Sequence, residues 1–187
     1  MLVDADMQDG RGAPPSYGQR EQFARALWIL VYIFAYRWVP RRFNAWHRGV
    51  LRAFGAEIGD KVHLYPSARI AMPWNLQIDS GAVIGGGVNL YSLGKIHIGM
   101  NTVVSQGSVL CAGTHDYTHR QMPLIRTPIT IGKGCWICME AFIGPNVSIG
   151  DGSVIGARAV VVKNIAEKKV CSGNPCRELK DRIMRDT

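Results

Sequence analysis

Six aliphatic residues stand at a fixed spacing of six: Ile131, Ile137, Ile143, Ile149, Ile155 and Val161. Glycine follows most of them (Gly132, Gly144, Gly150, Gly156). A small residue usually comes four positions later (Cys135, Ala141, Ser153, Ala159), with Val147 as the larger exception. A helix repeats every ~3.6 residues and a strand every two, so neither alone makes this pattern. A period of six means that one short unit is built, turned and built again with the same residue pointing inward. The frame recurs upstream as Ile58, Leu64, Ile70; then Ile78, Ile84, Leu90; then Ile98, Val104, Leu110. Each change of register is a two-residue insertion, which predicts a bulged corner within one continuing fold. At roughly 3.3 Å per residue, six residues make one flat side plus a turn, and three sides close a coil of about eighteen residues. Coils stacked roughly 4.8 Å apart by parallel hydrogen bonds form a triangular prism, an all-β parallel β-helix. Its open ends need caps against edge pairing.

Length and charge set the remaining organisation. The 187 residues suit one domain with appendages, and the formal net charge is +8. Much of the excess lies between Arg20 and Arg52, with a second cluster from Arg177 to Arg185. Such a balance suits nucleic acid, an anionic membrane surface or a phosphorylated ligand. No module with aromatics interleaved on a sheet is visible, so no nucleic-acid partner is expected. Five cysteines, an odd number without a small secreted scaffold, favour a reducing compartment and a cytoplasmic protein. Residues 1–19 read as a disordered leader; Asp4, Asp6 and Asp9 stand where a signal peptide would be basic. Residues 20–54 read as helix broken at Pro40. They are expected to cap the prism and, with Trp28, Trp38 and Trp46 beside arginines, to touch the anionic inner face of the cytoplasmic membrane peripherally. The apolar run Ala26–Tyr36 is too short to span a bilayer. Residues 55–166 are the repeat domain. Residues 167–187 form a basic tail, with a turn at Gly173-Asn174-Pro175 and a short helix from about Cys176.

Residues 113–128 interrupt the period with a polar loop carrying His115 and His119. A break in a strict repeat is where chemistry belongs. Histidine, with a reference pKa near 6.5, takes a proton from an attacking hydroxyl and returns one to a leaving group. His115 and His119, with His97 as the nearest third, raise a metal reading, but zinc sites of this kind need a different spacing, so no metal is expected. Cys135 and Cys138 form a lone Cys-x-x-Cys on small positions of the repeat and read as packing.

The units Ile-Gly-x-x-small-x resemble the hexapeptide repeats of left-handed parallel β-helix acyltransferases; the left hand comes from that resemblance. Leu51-Arg-Ala-Phe-Gly-Ala-Glu-Ile-Gly, Tyr65-Pro-Ser-Ala-Arg-Ile, Pro73-Trp-Asn-Leu, Thr114-His-Asp-Tyr, Ala141-Phe-Ile-Gly-Pro and Gly173-Asn-Pro-Cys-Arg are similar to the colanic-acid and exopolysaccharide acetyltransferases. The resemblance implies an acetyl-CoA-dependent O-acetyltransferase acting on a sugar or lipid-linked oligosaccharide. It also implies a homotrimer with each site between neighbouring prisms. It places His115 as the base, Asp116 either orienting it or capping the loop, and Asn89 against the acceptor. The Met139 amide would donate to the oxyanion, Trp136 would be either coil surface or a wall of the cofactor channel, Ala157, Val162 and Lys163 would line the pantetheine arm, and Arg177 and Lys180 would face the phosphates. An amino-acid or antibiotic acetyltransferase and a non-catalytic β-helix scaffold are the alternatives.

Overall fold

A computed structural model describes residues 17–184. Its centre is a prism with three walls, each a stack of short parallel strands. The first wall stacks Glu57–Ile58, Leu76–Ile78, Ile96–Ile98, Ile129–Ile131 and Ser148–Ile149. The second stacks His63–Leu64, Val83–Ile84, Val103–Val104, Trp136–Ile137, Val154–Ile155 and Lys169–Ser172. The third stacks Arg69–Ile70, Asn89–Tyr91, Val109–Cys111, Phe142–Ile143 and Val160–Val161. The repeat aliphatics face inward and align coil on coil, for example Ile78 on Ile98 and Ile131 on Ile149. From Ile58 to Val161 every one of them is buried.

The other repeat positions follow from how closely the coils approach. A Cβ built on Gly99 would lie 2.5 Å from the carbonyl carbon of Gly132 in the next coil, so a side chain there would push the coils apart. The small residues four after the aliphatics are buried in the corners, and the polar ones satisfy backbone there. Thr102 Oγ1 donates to Gly132 O at 2.6 Å and Ser108 Oγ to Cys138 O at 2.9 Å. A third requirement lies three after the aliphatic, where the turn needs a left-handed backbone, met by Gly134 (φ +63°) and Asn101 (φ +57°).

The corner joining the third wall back to the first takes both two-residue insertions, after Ile70 and after Leu90. The expected bulges are a short 3-10 turn at Pro73–Asn75 and the segment around Leu93-Gly94. The same corner takes the excursion, which leaves as Gly113–His115 and returns antiparallel as Leu124–Arg126.

Helix α1 (Gln19–Val31) continues through a π-helical turn, Tyr32–Tyr36; the chain breaks near Pro40 and resumes as α2 (Asn44–Ala53). Only Tyr17, Gly18 and Gln19 of the expected leader are described, and Gln19 is already helical; residues 1–16 lie outside the described residues. These helices satisfy the first coil's free edge. Trp28 Nε1 donates to Ile70 O at 2.7 Å, Tyr32 Oη to Ala68 O, Arg48 to Val62 O and Arg52 to Ile58 O, while Asn44 Oδ1 accepts from Leu64 N. A solenoid edge would otherwise present unpaired backbone groups.

The other end corrects an expectation. No helix begins near Cys176. Arg177–Asp181 is a strand, antiparallel to Lys169–Ser172, after a turn with a cis Asn174–Pro175 bond. Arg-Glu-Leu-Lys-Asp suits a helix by composition, yet the free edge of the second wall recruits it as a partner strand. Its charged side chains then blunt the new edge.

Candidate active site

The excursion holds His115 in one orientation. His115 pairs with Leu124 across the hairpin, and its imidazole Nδ1 lies 2.6 Å from the carbonyl oxygen of Met122. A carbonyl only accepts, so Nδ1 carries the proton and Nε2 presents a lone pair. The ring is exposed, so that lone pair faces a surface a substrate can reach.

Asp116 does not orient the imidazole among the described residues. Its Oδ1 accepts from Thr118 N at 3.0 Å and Thr118 Oγ1 at 2.6 Å, an Asx-type cap of the loop. The Thr118 hydroxyl and then its amide hold the Asp116 carboxyl below the usual aspartate range. The Asp-x-Thr spacing was a usable signal for this cap. The Met122 carbonyl had none, because any residue type supplies one. Arg126 on the returning strand forms a two-pronged ion pair with Glu21 of α1, at 2.8 and 3.1 Å, tying the loop to the N-terminal helix.

The other expected residues fall into two groups. Val162 and Lys163 are exposed at the corner that also bears His115. Met139 and Ala157 are exposed at the corner between the second and third walls, stacked in successive coils; Arg158 N donates to Met139 O at 3.0 Å. Beside them on the second wall, Trp136 faces outward with its Nε1 bonded to Ser105 Oγ at 2.9 Å. Trp136, Val154, Val170 and Lys180 form one row across that wall, and Arg177 pairs with Ser172 at its edge. Asn89 lies on the third wall between the groups, and among the described residues its carboxamide has no hydrogen-bond partner. The Met139 N–H likewise has no protein acceptor among the described residues. One wall, roughly 15–20 Å wide, separates the groups.

The three histidines of the metal reading do not converge. His97 is on the first wall with Nε2 2.9 Å from Asp79 Oδ2, and His119 Nδ1 accepts from Gln121 N within the loop. Cys135 is buried with Sγ toward Gly150 O, Cys138 is half-buried, and burial raises both thiols.

A family model described as bacterial transferase hexapeptide (six repeats) matches residues 128–163. An Escherichia coli (strain K12) protein named as a candidate colanic acid biosynthesis acetyltransferase, WcaF, is 40% identical over 179 residues, covering 95% of this chain and 98% of that protein. Among solved structures, a hexapeptide-repeat acetyltransferase from Vibrio cholerae in complex with acetyl-CoA superposes with a TM-score of 0.80, at 21% identity, over 89% of this chain and 91% of that one. A maltose O-acetyltransferase from Clostridium difficile 630 also gives 0.80, at 22% identity, over 89% and 90%. With one match running nearly end to end through both sequences and the same prism recurring in those solved structures, this chain belongs to the hexapeptide-repeat acetyltransferases and is an acyltransferase.

Proposed function

We propose that this enzyme transfers an acetyl group from acetyl-CoA to a hydroxyl of a sugar in glycan biosynthesis, with His115 as general base. The oriented imidazole carries this reading: Nδ1–H is fixed on the Met122 carbonyl, so Nε2 is the basic atom at the end of the hairpin. In the reaction Nε2 takes the acceptor's hydroxyl proton as that oxygen bonds to the thioester carbonyl carbon. The carbonyl oxygen becomes an oxyanion, which the Met139 N–H, without an acceptor among the described residues, suits as donor. Collapse breaks the carbon–sulfur bond, and His115 returns the proton to the sulfur. No covalent enzyme intermediate is needed. Asn89, whose carboxamide on the third wall has no hydrogen-bond partner among the described residues, suits the sugar.

The two separated groups support a site shared between copies. His115 cannot face the Met139–Ala157 corner of its own prism, because a whole wall intervenes. A neighbouring prism in a homotrimer supplies that corner. The pantetheine arm then lies between Ala157 and Met139 of one protomer and Val162 and Lys163 of another. Arg177 and Lys180 are exposed cations at the end of the second wall, suited to coenzyme phosphates. The names of the relatives agree in kind: one is named for colanic acid biosynthesis, one for maltose, and one is bound to acetyl-CoA.

The test is turnover of pure protein with acetyl-CoA and a panel of soluble oligosaccharides, following released thiol and the acetyl ester by mass. His115→Ala is expected to lower kcat/KM by about 10²- to 10⁴-fold while coenzyme binding and oligomeric state persist. An unchanged rate in that variant removes His115 from the mechanism. Acetylation of amino acids or antibiotics with no sugar turned over defeats the acceptor assignment.

A further inference from the structure

The outward side of the N-terminal helix has no partner among the described residues. Phe23, Leu27, Leu30, Phe34 and Trp38 follow one another at intervals of four, three, four and four, which places them in one stripe along α1 and its continuation. Their exposures run from 43% at Leu27 to 76% at Phe34. The opposite side carries Trp28, Tyr32 and Tyr36, which pack beneath the first coil, and Trp28 and Tyr32 bond its edge carbonyls. From Ala26 to Tyr36 no residue is charged. A helix apolar on every side belongs in a core or in lipid, and this one has protein on one side only.

Charge says what covers the other side. Residues 17–54 hold seven arginines and a single acid, Glu21, which is neutralised by Arg126. Arg48 and Arg52 are engaged by the first coil, and Arg41 stacks on Tyr65. Arg20, Arg37 and Arg42 stay exposed at the ends of the stripe. The Arg37 and Arg42 guanidiniums lie 5.6 and 5.0 Å from the ring centroids of Trp38 and Phe43. An apolar stripe, an exposed indole and a basic rim are the chemistry of an anionic lipid interface. A second copy of this chain offers the rim no matching acidic patch, since its own surface here is equally basic. No helix among the described residues is long and apolar enough to cross a membrane, so the fitting geometry lies on the surface.

The direction of the stripe adds an orientation. The edge carbonyls bonded by Trp28 and Tyr32 point along the prism axis, so the stripe on the far side of α1 faces away from the coils along that axis. Prisms packed side by side would bring all their stripes to one plane. Ile29 and Ile33 carry the apolar surface round the helix to a cleft that ends at Tyr91, two residues from Asn89.

We propose that α1 and the chain that continues it to Trp38 dock this enzyme on an anionic phospholipid leaflet with the prism standing upright on its first-coil end. The full chain is tested by flotation with vesicles of phosphatidylcholine alone and of phosphatidylcholine mixed with phosphatidylglycerol. The protein is expected to float with the mixed vesicles and about tenfold less with the neutral ones. Leu30→Glu with Phe34→Glu should abolish flotation, and Arg37→Glu with Arg42→Glu should reduce it only on the anionic vesicles. All these side chains are exposed, so far-ultraviolet circular dichroism and turnover of a soluble acceptor should be unchanged. Absence of flotation in the parent protein, or equal flotation of the Leu30→Glu/Phe34→Glu variant, overturns the proposal. So does a fall in oligomeric state in that variant, which would make the stripe a contact between copies. Because binding is read without turnover, it fails or stands separately from the acetyl-transfer reading.

Discussion

Trp28, in α1, and Trp38, two residues past the helix's π-helical end, should respond very differently to the same substitution. Trp28 is 1% exposed, packs against Tyr36 and Phe54 with ring centroids 5.7 and 5.2 Å away, and donates to Ile70 O on the first coil's edge. Trp28→Phe leaves that carbonyl buried without its donor, which costs about 1–3 kcal/mol. The smaller ring gives up roughly 50 Å² of buried apolar surface, about 1.3 kcal/mol more at ~25 cal/mol per Å². The expected loss is therefore about 2–4 kcal/mol, or a fall of roughly 5–15 °C in thermal midpoint for a domain of this size. Trp38 is 73% exposed, and Trp38→Phe should stay within about 0.5 kcal/mol of the parent. The assay is thermal denaturation followed by circular dichroism, at one protein concentration for all three proteins. Equal midpoints for the two variants, or a loss below about 1 kcal/mol for Trp28→Phe, would refute the claim that this side chain seals the solenoid's edge.

Two further substitutions probe the repeat and the loop. Gly99→Ala places a Cβ against next-coil backbone, 2.5 Å from Gly132 C and 2.6 Å from Lys133 N, and should destabilise by about 1–3 kcal/mol in denaturant unfolding. Gly134→Ala meets no neighbouring atom and strains only the left-handed backbone at φ +63°, so about 1 kcal/mol is expected there. Asp116→Asn should lower turnover less than tenfold, far short of His115→Ala, because the carboxylate caps the loop through Thr118 and leaves the imidazole to Met122. The Asp116 carboxyl is depressed in the folded protein. Its contribution is thus present above the unfolded value near 3.8 and lost only as pH falls through the lower folded value. In a carbon-detected NMR titration its midpoint should lie below that value and rise toward it in Thr118→Val.

The prism was legible because its determinant is periodic. An inward aliphatic every six residues leaves one way to bury all of them, and the repeat aliphatics from Ile58 to Val161 occupy the predicted interior. The loop's place was legible for the complementary reason, as the one stretch where the period stops. What failed was settled by the backbone of a neighbouring segment, which side-chain composition does not encode. Arg177–Asp181 has helix-forming composition but lies beside an unpaired strand edge. The orientation of His115 is set by a backbone carbonyl, which no residue type announces. Ala157 and Val162 are five apart in sequence and look like one site. Five residues cross the third wall, so they end on different corners. That separation is visible only once the walls are assembled, and it is the reason the proposed site is shared between two copies.

Coexpression of two inactive variants tests the shared site directly. His115→Ala removes the proposed base; Ala157→Trp, at an exposed corner position, blocks the proposed coenzyme groove without touching the prism interior. If each site takes its histidine from one protomer and its groove from the next, random mixed trimers hold intact sites in about one quarter of positions. The mixture should then regain roughly a quarter of parental turnover, where each variant alone has almost none. Mixed trimers that stay as inactive as the separate variants would place histidine and groove in a single chain, against the wall that divides them here.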